Sequence, residues 1–516
     1  MFSPPELGFP EKFQTFRPAQ EEAIHHVLTS EKRFVGIGAP PGVGKTAVAF
    51  ALAKLLGGRT VILTANLGLE RQYLSELGSA GLVGMRGRAN YACWEGGSCE
   101  DGVRWGCRDR AGCPYTSDLR AFNAASVGVT NYAWWMSAPK IEEADTLVCD
   151  ECTQASEWLS RALDYRITER ECREVGAKLA PVPGESHEEW KALARLLRER
   201  SNSRITVLKA KLSDARGSTR ERLGRDLKAA ERLHENAGKL NGLDANWVVT
   251  ADEGSDEGRA WRFECVWPGQ FREKLFRFTP RVVLLSATLR PKTLELLGIK
   301  RADCDFREWP RQFPPANGPV LWVPTARVKH SMSTEDEQRW LRRIREVSDW
   351  GSSRRGLVHT VSYDRAKQIA STLDPARVVL NGRADPESLT ARRAYDKFVN
   401  GPDSGVLVSP SFSTGWDFKG RRGEWQVIAK IAFPDTRSKL MQVRTDKDPS
   451  YPMYLAAQEL VQGSGRITRS EQDRGVTLVV DDQIEWFQRR ASEYVPRWFR
   501  VRRETELPKL LSRAVD

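Results

Sequence analysis

The chain has 516 residues, 40% of them apolar and 29% charged, with a net charge of +12. That length exceeds one ordinary core and points to about three folding units, and the composition excludes a fibrous or bulk-disordered chain. No apolar run reaches the roughly 20 residues of a membrane helix, and the N-terminal MFSPPELGFPEKF lacks a basic-then-apolar leader. The expectation is a cytoplasmic protein without a membrane partner, whose positive field attracts polyanions such as nucleic acid.

In chain order, RFVGIGA (33–39), TVILTAN (60–66), SVGVTN (126–131), TLVCDE (146–151) and RVVLLSAT (281–288) read as buried strands separated by helix-like segments. GLVHTVS (356–362), RVVLNG (377–382), GVLVSPS (405–411), WQVIAKIAF (425–433) and GVTLVVDD (475–482) repeat the pattern. Such alternation predicts an α/β protein with two parallel-sheet lobes. Between the fourth and fifth strands lies a stretch of different character. Ser186-x-x-Glu189 is a capping signature, followed by Trp190, Leu193 and Leu197 on one stripe, then by Leu208 with Leu212 and Leu223 with Leu227. It predicts a mostly helical insert over 161–243.

APPGVGKT follows the first strand and opens the helical TAVAFALAKLL, the context in which a phosphate loop is credible. Ala39, Pro40, Pro41, Gly42, Val43 and Gly44 would form the loop, in which Gly42 and Gly44 let backbone N–H groups approach phosphate. Lys45 would neutralise the β and γ oxygens of ATP, and Thr46 would hold Mg2+. At the end of the fourth strand Asp150 would complete the Mg2+ shell, and Glu151 would orient or deprotonate the attacking water. Within QGSGRITR, Arg466 and Arg469 stand three apart, suited to reaching a γ-phosphate from the other lobe.

Four of the nine cysteines, Cys93, Cys99, Cys107 and Cys113, fall in one segment with spacing C-x5-C-x7-C-x5-C. In a reducing compartment such a cluster reads as a metal site. Four thiolates suit zinc or a [4Fe–4S] cluster, and local spacing does not separate them, though the short knuckle usual for zinc is absent. Arg86, Arg88, Arg104, Arg108 and Arg110 make the segment basic. Tyr91, Trp94 and Trp105 would either stack bases or pack a small metal core.

Taken together, these elements resemble the XPD/DinG family of iron–sulfur superfamily 2 helicases. FRPAQ (16–20) resembles the family's adenine-reading element, with Arg17 and with Gln20 in the reading position. APPGVGKT resembles motif I, TANLGLERQ (64–72) motif Ia, DECT motif II, SATL (286–289) motif III and HTVSY (359–363) motif IV. STGWDFKG (413–420), with Gly415 and Asp417, resembles motif V, and QGSGRITR, which Gln462 opens, motif VI. RGRANYAC resembles the family's KGRSNYLC at the first cluster cysteine. The resemblance implies two RecA-like motor domains with ATP between them, a small Fe–S domain and a helical arch inserted in the first, and favours [4Fe–4S] over Zn2+. The implied divisions are motor domain 1 over 1–88, 117–160 and 244–300, the Fe–S domain over 89–116, the arch over 161–243 and motor domain 2 over 301–516. It further implies a monomeric ATP-dependent translocase acting on single-stranded and forked duplex DNA, moving 5′ to 3′. The alternative is a nucleic-acid-stimulated ATPase that remodels a nucleoprotein complex without processive unwinding. Two departures stand out: Thr153 replaces the motif II histidine, and the cysteine spacing is compact for the family.

Overall fold

Strands that are buried on both faces need no polar alternation, and this is the pattern of a parallel sheet covered by helices. The computed structural model describes all residues except 1, 95, 105–106, 108–111, 139–140, 180–182, 256–257, 382–389, 413–415, 417, 419, 469–470 and 510–516. The chain begins with β1 (Phe34–Gly38), β2 (Thr60–Thr64), β3 (Val83–Met85), β4 (Val127–Asn131) and β5 (Thr146–Asp150). It continues with β6 (Tyr165–Thr168), β7 (Trp247–Ser255) and β8 (Gly258–Cys265), then β9 (Arg281–Ser286) and β10 (Cys304–Glu308). The first lobe is a seven-stranded sheet in the order β10-β1-β9-β5-β2-β4-β3, with every pairing parallel.

The second lobe contains β11 (Val320–Trp322), β12 (Gly356–His359), β13 (Val378–Leu380), β14 (Val406–Ser409), β15 (Trp425–Ile428), β16 (Val476–Val479) and β17 (Val501–Arg503). These form a second parallel sheet, β13-β14-β12-β15-β16-β11-β17. Both lobes are therefore RecA-like in architecture, with the crevice beyond the carboxyl ends of the strands available for ligand. Among the described residues no helix is long and apolar enough to cross a membrane.

Two divisions drawn from sequence move. The insert contains the long helices His187–Asp214 and Gly217–Lys239, but its root is an antiparallel sheet, β6-β8-β7, that extends to Cys265 rather than stopping at 243. β6 is only four residues long and is completed by the distant hairpin β7–β8, so no local pattern marks it. The division at 300 also shifts, because β10 lies beyond it and pairs with β1 at the edge of the first sheet.

The two lobes meet through apolar contacts, Leu296 and Trp267 against the Tyr451 side of the second lobe, and through polar ones. Thr293 and Tyr454 share a hydrogen bond of 2.9 Å, Lys292 pairs with Asp448 at 2.7 Å, and Arg290 donates to the Glu493 carbonyl at 3.1 Å. The C-terminal segment lies across this seam: the Arg497 N–H donates to Glu308, and β17 then joins the second sheet beside β11.

Beneath the cysteine segment, the helix Leu67–Leu77 fully buries Glu70. The Asn131 amide donates to it at 3.4 Å, and Arg86 Nε lies 3.8 Å away. Burial pushes its pKa from 4.5 up to about 7 against the pull of Asn131 and Arg86. Between those values the folded chain keeps a proton that the unfolded chain has lost, so this contribution to stability declines as pH rises through the window. Glu70→Gln should therefore stabilise the protein more at about pH 8.5 than at about pH 5.5, by roughly 2 kcal/mol. Denaturant melts of both proteins at the two pH values check this, and an equal effect at both contradicts it.

Candidate functional site

The phosphate loop starts where β1 ends. Ala39 continues the ladder by donating its N–H to the Ser286 carbonyl at 3.1 Å, and the chain then turns through Pro40 and Pro41 into the helix Lys45–Leu55. Gly42 and Gly44 have φ of +85° and +86°, and Gly44 is the N-cap of that helix. A methyl group at Gly44 would also collide with Gln20 Nε2, so both backbone and space demand glycine there. Gln20 is buried and fully engaged: Nε2 donates to the Val43 carbonyl at 2.8 Å and the Gly44 carbonyl at 3.4 Å, while Oε1 accepts from the Arg17 N–H at 2.9 Å. The Arg17 guanidinium donates to the Gly42 carbonyl. In this structure Arg17 and Gln20 thus clasp the loop by its carbonyls.

β5 and β9 flank the site. Asp150 ends β5 with its carboxylate receiving the Tyr73 hydroxyl at 2.8 Å and the Glu151 N–H at 2.9 Å, and Tyr132 donates to its carbonyl at 3.0 Å. Thr46 hydrogen-bonds the same Tyr73 hydroxyl, so one buried tyrosine ties the two candidate Mg2+ ligands together. Glu151 has φ of +49°, a left-handed conformation that costs a non-glycine residue energy and here swings its side chain toward the phosphate loop. It lies 3.4 Å from Lys45 Nζ and accepts the Ser286 hydroxyl at 3.1 Å. Burial and the neighbouring Glu151 charge push the Asp150 pKa up to about 6, with Lys45 and Tyr73 opposing. For Glu151 burial also raises the pKa, but Lys45, Arg466 and the Ser286 hydroxyl outweigh it and hold the group below its ordinary value.

The second lobe reaches in from the end of the helix Tyr451–Ser464. Gln462 Nε2 donates to the Thr153 hydroxyl at 3.4 Å, which lies 3.4 Å from Ser286 Oγ. A methyl group on Gly465 would stand 3.0 Å from the Pro41 ring, so the motif VI turn lies directly on the phosphate loop. Arg466 is close enough for its charge to depress Glu151. Arg469, Gly415 and Asp417 lie outside the described residues. The assembled groups can hold a triphosphate on backbone N–H groups and Lys45, a divalent ion on Thr46 and Asp150, and a water against Glu151. Sequence reasoning passed over Tyr73 and Tyr132. Tyr73 belongs to the buried stripe Glu70, Tyr73, Leu77 of its helix, which signals burial but not the bond to Asp150.

The four cysteines come together in part. Cys99 and Cys113 hydrogen-bond each other's side chains, while Cys93 Sγ and Cys107 Cβ both border Gly102 on the helix Cys99–Arg104. Among the described residues no three metal-ligating side chains form a completed site. Arg88 donates to Cys99 Sγ at 3.4 Å and lies over the Tyr115 ring at 4.0 Å. Tyr91 is buried edge-on against Tyr115 and so packs the segment, whereas Trp94 is 73% exposed. Trp105, Arg108 and Arg110 lie outside the described residues, as does the side chain of Arg104.

Residues 344–502 match the helicase C-terminal domain family. A solved XPD helicase superposes with a TM-score of 0.62 at 14% identity, over 95% of this chain and 99% of the other. The Xpd4 structure from S. tokodaii gives 0.57 at 14% identity, over 95% and 100%. A search of curated proteins finds no match. The segment Ala39–Thr46, the carboxylates of Asp150 and Glu151 and the Gly465 turn face one another between two RecA-like lobes, and the second lobe carries the match to the helicase C-terminal domain family. Over nearly its whole length the chain shares the fold of the solved XPD helicases.

Two substitutions test the site. Lys45→Ala should lower ATP hydrolysis by roughly two to three orders of magnitude in a chain that still folds, as checked by circular dichroism, and hydrolysis at the normal rate would remove Lys45 from the site. A methyl group at Gly102 collides with Cys93 Sγ, so Gly102→Ala should weaken metal binding roughly tenfold or more. Metal content per chain after dialysis against a chelator measures this; undiminished retention contradicts Cys93 as a ligand.

Proposed function

We propose that the protein is an ATP-dependent DNA helicase that moves along single-stranded DNA from 5′ to 3′, with a structural [4Fe–4S] domain that aids separation of a forked duplex. The observation that carries this reading is the meeting of both lobes at one partly buried acid: Glu151 faces Lys45 of the first lobe and is linked through Ser286 and Thr153 to Gln462 of the second. Closing the cleft on ATP would tighten these contacts and opening it would release them, which is how hydrolysis alternates grip on a strand.

Thr46 and Asp150 fit a Mg2+ ion carried in with ATP. Asp150 is a buried carboxylate whose raised pKa marks charge in want of compensation, which a divalent cation supplies. When bound, Mg2+ neutralises phosphate oxygens and the charge that develops on them. Lys45 neutralises the β and γ oxygens, Glu151 orients the water and receives its proton, and Arg466 brings positive charge from the second lobe. The positions of Arg469, Gly415 and Asp417 in motifs VI and V assign them to the γ-phosphate and to nucleotide contacts by the same resemblance.

Cys93, Cys99, Cys107 and Cys113 fit the cluster in their chemistry: four soft donors in two neighbouring pairs, with an arginine N–H already directed at one sulfur. The ligation energy would fold a segment too short for a core of its own. The polarity and the choice of iron over zinc rest on the motif resemblance. A net charge of +12 supports backbone contact, so binding should weaken steeply with salt.

The test is strand displacement on partial duplexes of DNA and of RNA with a 5′ or a 3′ single-stranded tail, using anaerobically purified protein and Glu151→Gln as control. Displacement of the 5′-tailed DNA alone, lost in the variant, with about four irons per chain, is the expected result. No displacement despite ATPase stimulated by single strands would replace this reading with the remodelling translocase, and about one zinc per chain would replace the cluster.

A further inference from the structure

No motif includes Arg444, yet it is the most deeply engaged cation of the seam. It stands on the helix Lys439–Lys447 of the second lobe and is 4% exposed. Its guanidinium donates to the Val266 carbonyl at 2.9 Å, the Cys265 carbonyl at 3.1 Å and Ser160 Oγ at 2.8 Å, and faces Glu157 at 3.3 Å. The Trp267 and Tyr451 rings lie 5.8 Å and 5.7 Å from it. Each partner has a distinct place. Cys265 and Val266 end β8, where the helical insert rejoins the first lobe. Glu157 and Ser160 belong to the helix Ala155–Leu163, which begins one turn after Glu151. One buried arginine of the second lobe therefore grips both the root of the insert and the helix leaving the carboxylate pair.

The surroundings support movement at this point. Lys447 of the same helix donates to the Ala245 carbonyl just before β7, so the insert's root is held at two places by one helix. Beside them a cavity of about 380 Å³ opens at the seam, lined among others by Asn246, Trp267, Gln270, Glu295 and Asp448. An interface in which hydrogen bonds and a cavity adjoin a small apolar cluster can shift at lower cost than a fully packed core. Because Glu157 is 46% exposed, the pair adds little stability, and the three hydrogen bonds of the buried guanidinium are what fix its geometry.

We propose that Arg444 is a positioning residue that couples nucleotide-driven movement of the second lobe to the root of the insert. This rests on the reading that ATP binds between the lobes. Hydrogen exchange of the full chain, with and without a non-hydrolysable ATP analogue and Mg2+, separates the two ideas, because protection of residues 39–46 reports nucleotide binding and exchange at 247–265 reports the insert's root. In the wild type both segments should respond. In Arg444→Met the loop should still be protected while the response at 247–265 falls by roughly threefold or more, and Arg444→Lys should recover part of it. A root indifferent to nucleotide in the wild type, or a full response in Arg444→Met, overturns the proposal. An unprotected loop in the wild type overturns the nucleotide reading itself. If Arg444→Met does not fold, an Arg444→Lys root that responds as the wild type does, while its seam melts at lower temperature, assigns Arg444 to stability alone and also overturns the coupling.

Discussion

Asp150, buried, and Glu151, partly buried, are adjacent carboxylates at the end of a strand, and two like charges so placed repel each other while losing hydration. The neighbourhood is arranged around that cost. Tyr73 and a backbone N–H serve Asp150, Lys45 and Ser286 serve Glu151, and Arg466 adds charge from the other lobe. The left-handed backbone at Glu151 turns the second acid away from the first and toward the phosphate loop. Sheet order makes this possible: β1, β9 and β5 are neighbours, so the loop, Ser286 and the acids emerge side by side.

The same constraint explains the different character of the two kinds of interface. The inner strands of each sheet, β1, β2, β5, β12 and β14 among them, are buried along their length, and the packing there is rigid. Between the lobes hydrogen bonds and ion pairs, Thr293 with Tyr454, Lys292 with Asp448 and Arg444 with the insert's root, accompany a smaller apolar contact in which Leu296 and Trp267 meet the Tyr451 side of the second lobe. Polar contacts thus take a larger share at the seam than inside either lobe.

Both sheets were legible because doubly covered parallel strands are continuous β-branched runs, and VVLL or VILT carries that signal without help from distant sequence. The phosphate loop was legible for a related reason: its glycines serve local backbone geometry. What escaped depends on partners far along the chain. β6 needs β8, about a hundred residues on, β10 needs β1, and Tyr73 acquires its role only when β5 brings Asp150 to it. Arg444 escaped for the same reason, since an arginine on a polar helix reads as solvated until its burial is seen. Gln20, expected at the adenine from the resemblance, donates its amide to the loop's carbonyls in this structure, a contact no spacing encodes.

Thr153 shows how a departure from the family pattern can be accommodated. A histidine at this place would present ring nitrogens whose donor and acceptor roles change near neutral pH. A threonine hydroxyl donates and accepts at once and does not titrate in that range. It can therefore receive the Gln462 amide and still face Ser286, which bonds Glu151, so the link from the second lobe to the acid runs through two hydroxyls. The shorter side chain demands a closer approach, and the motif VI turn supplies it by resting against Pro41. A path of hydrogen bonds between the lobes is thus present without a group that titrates near neutrality, and Gly465 packs close to Pro41 beside it.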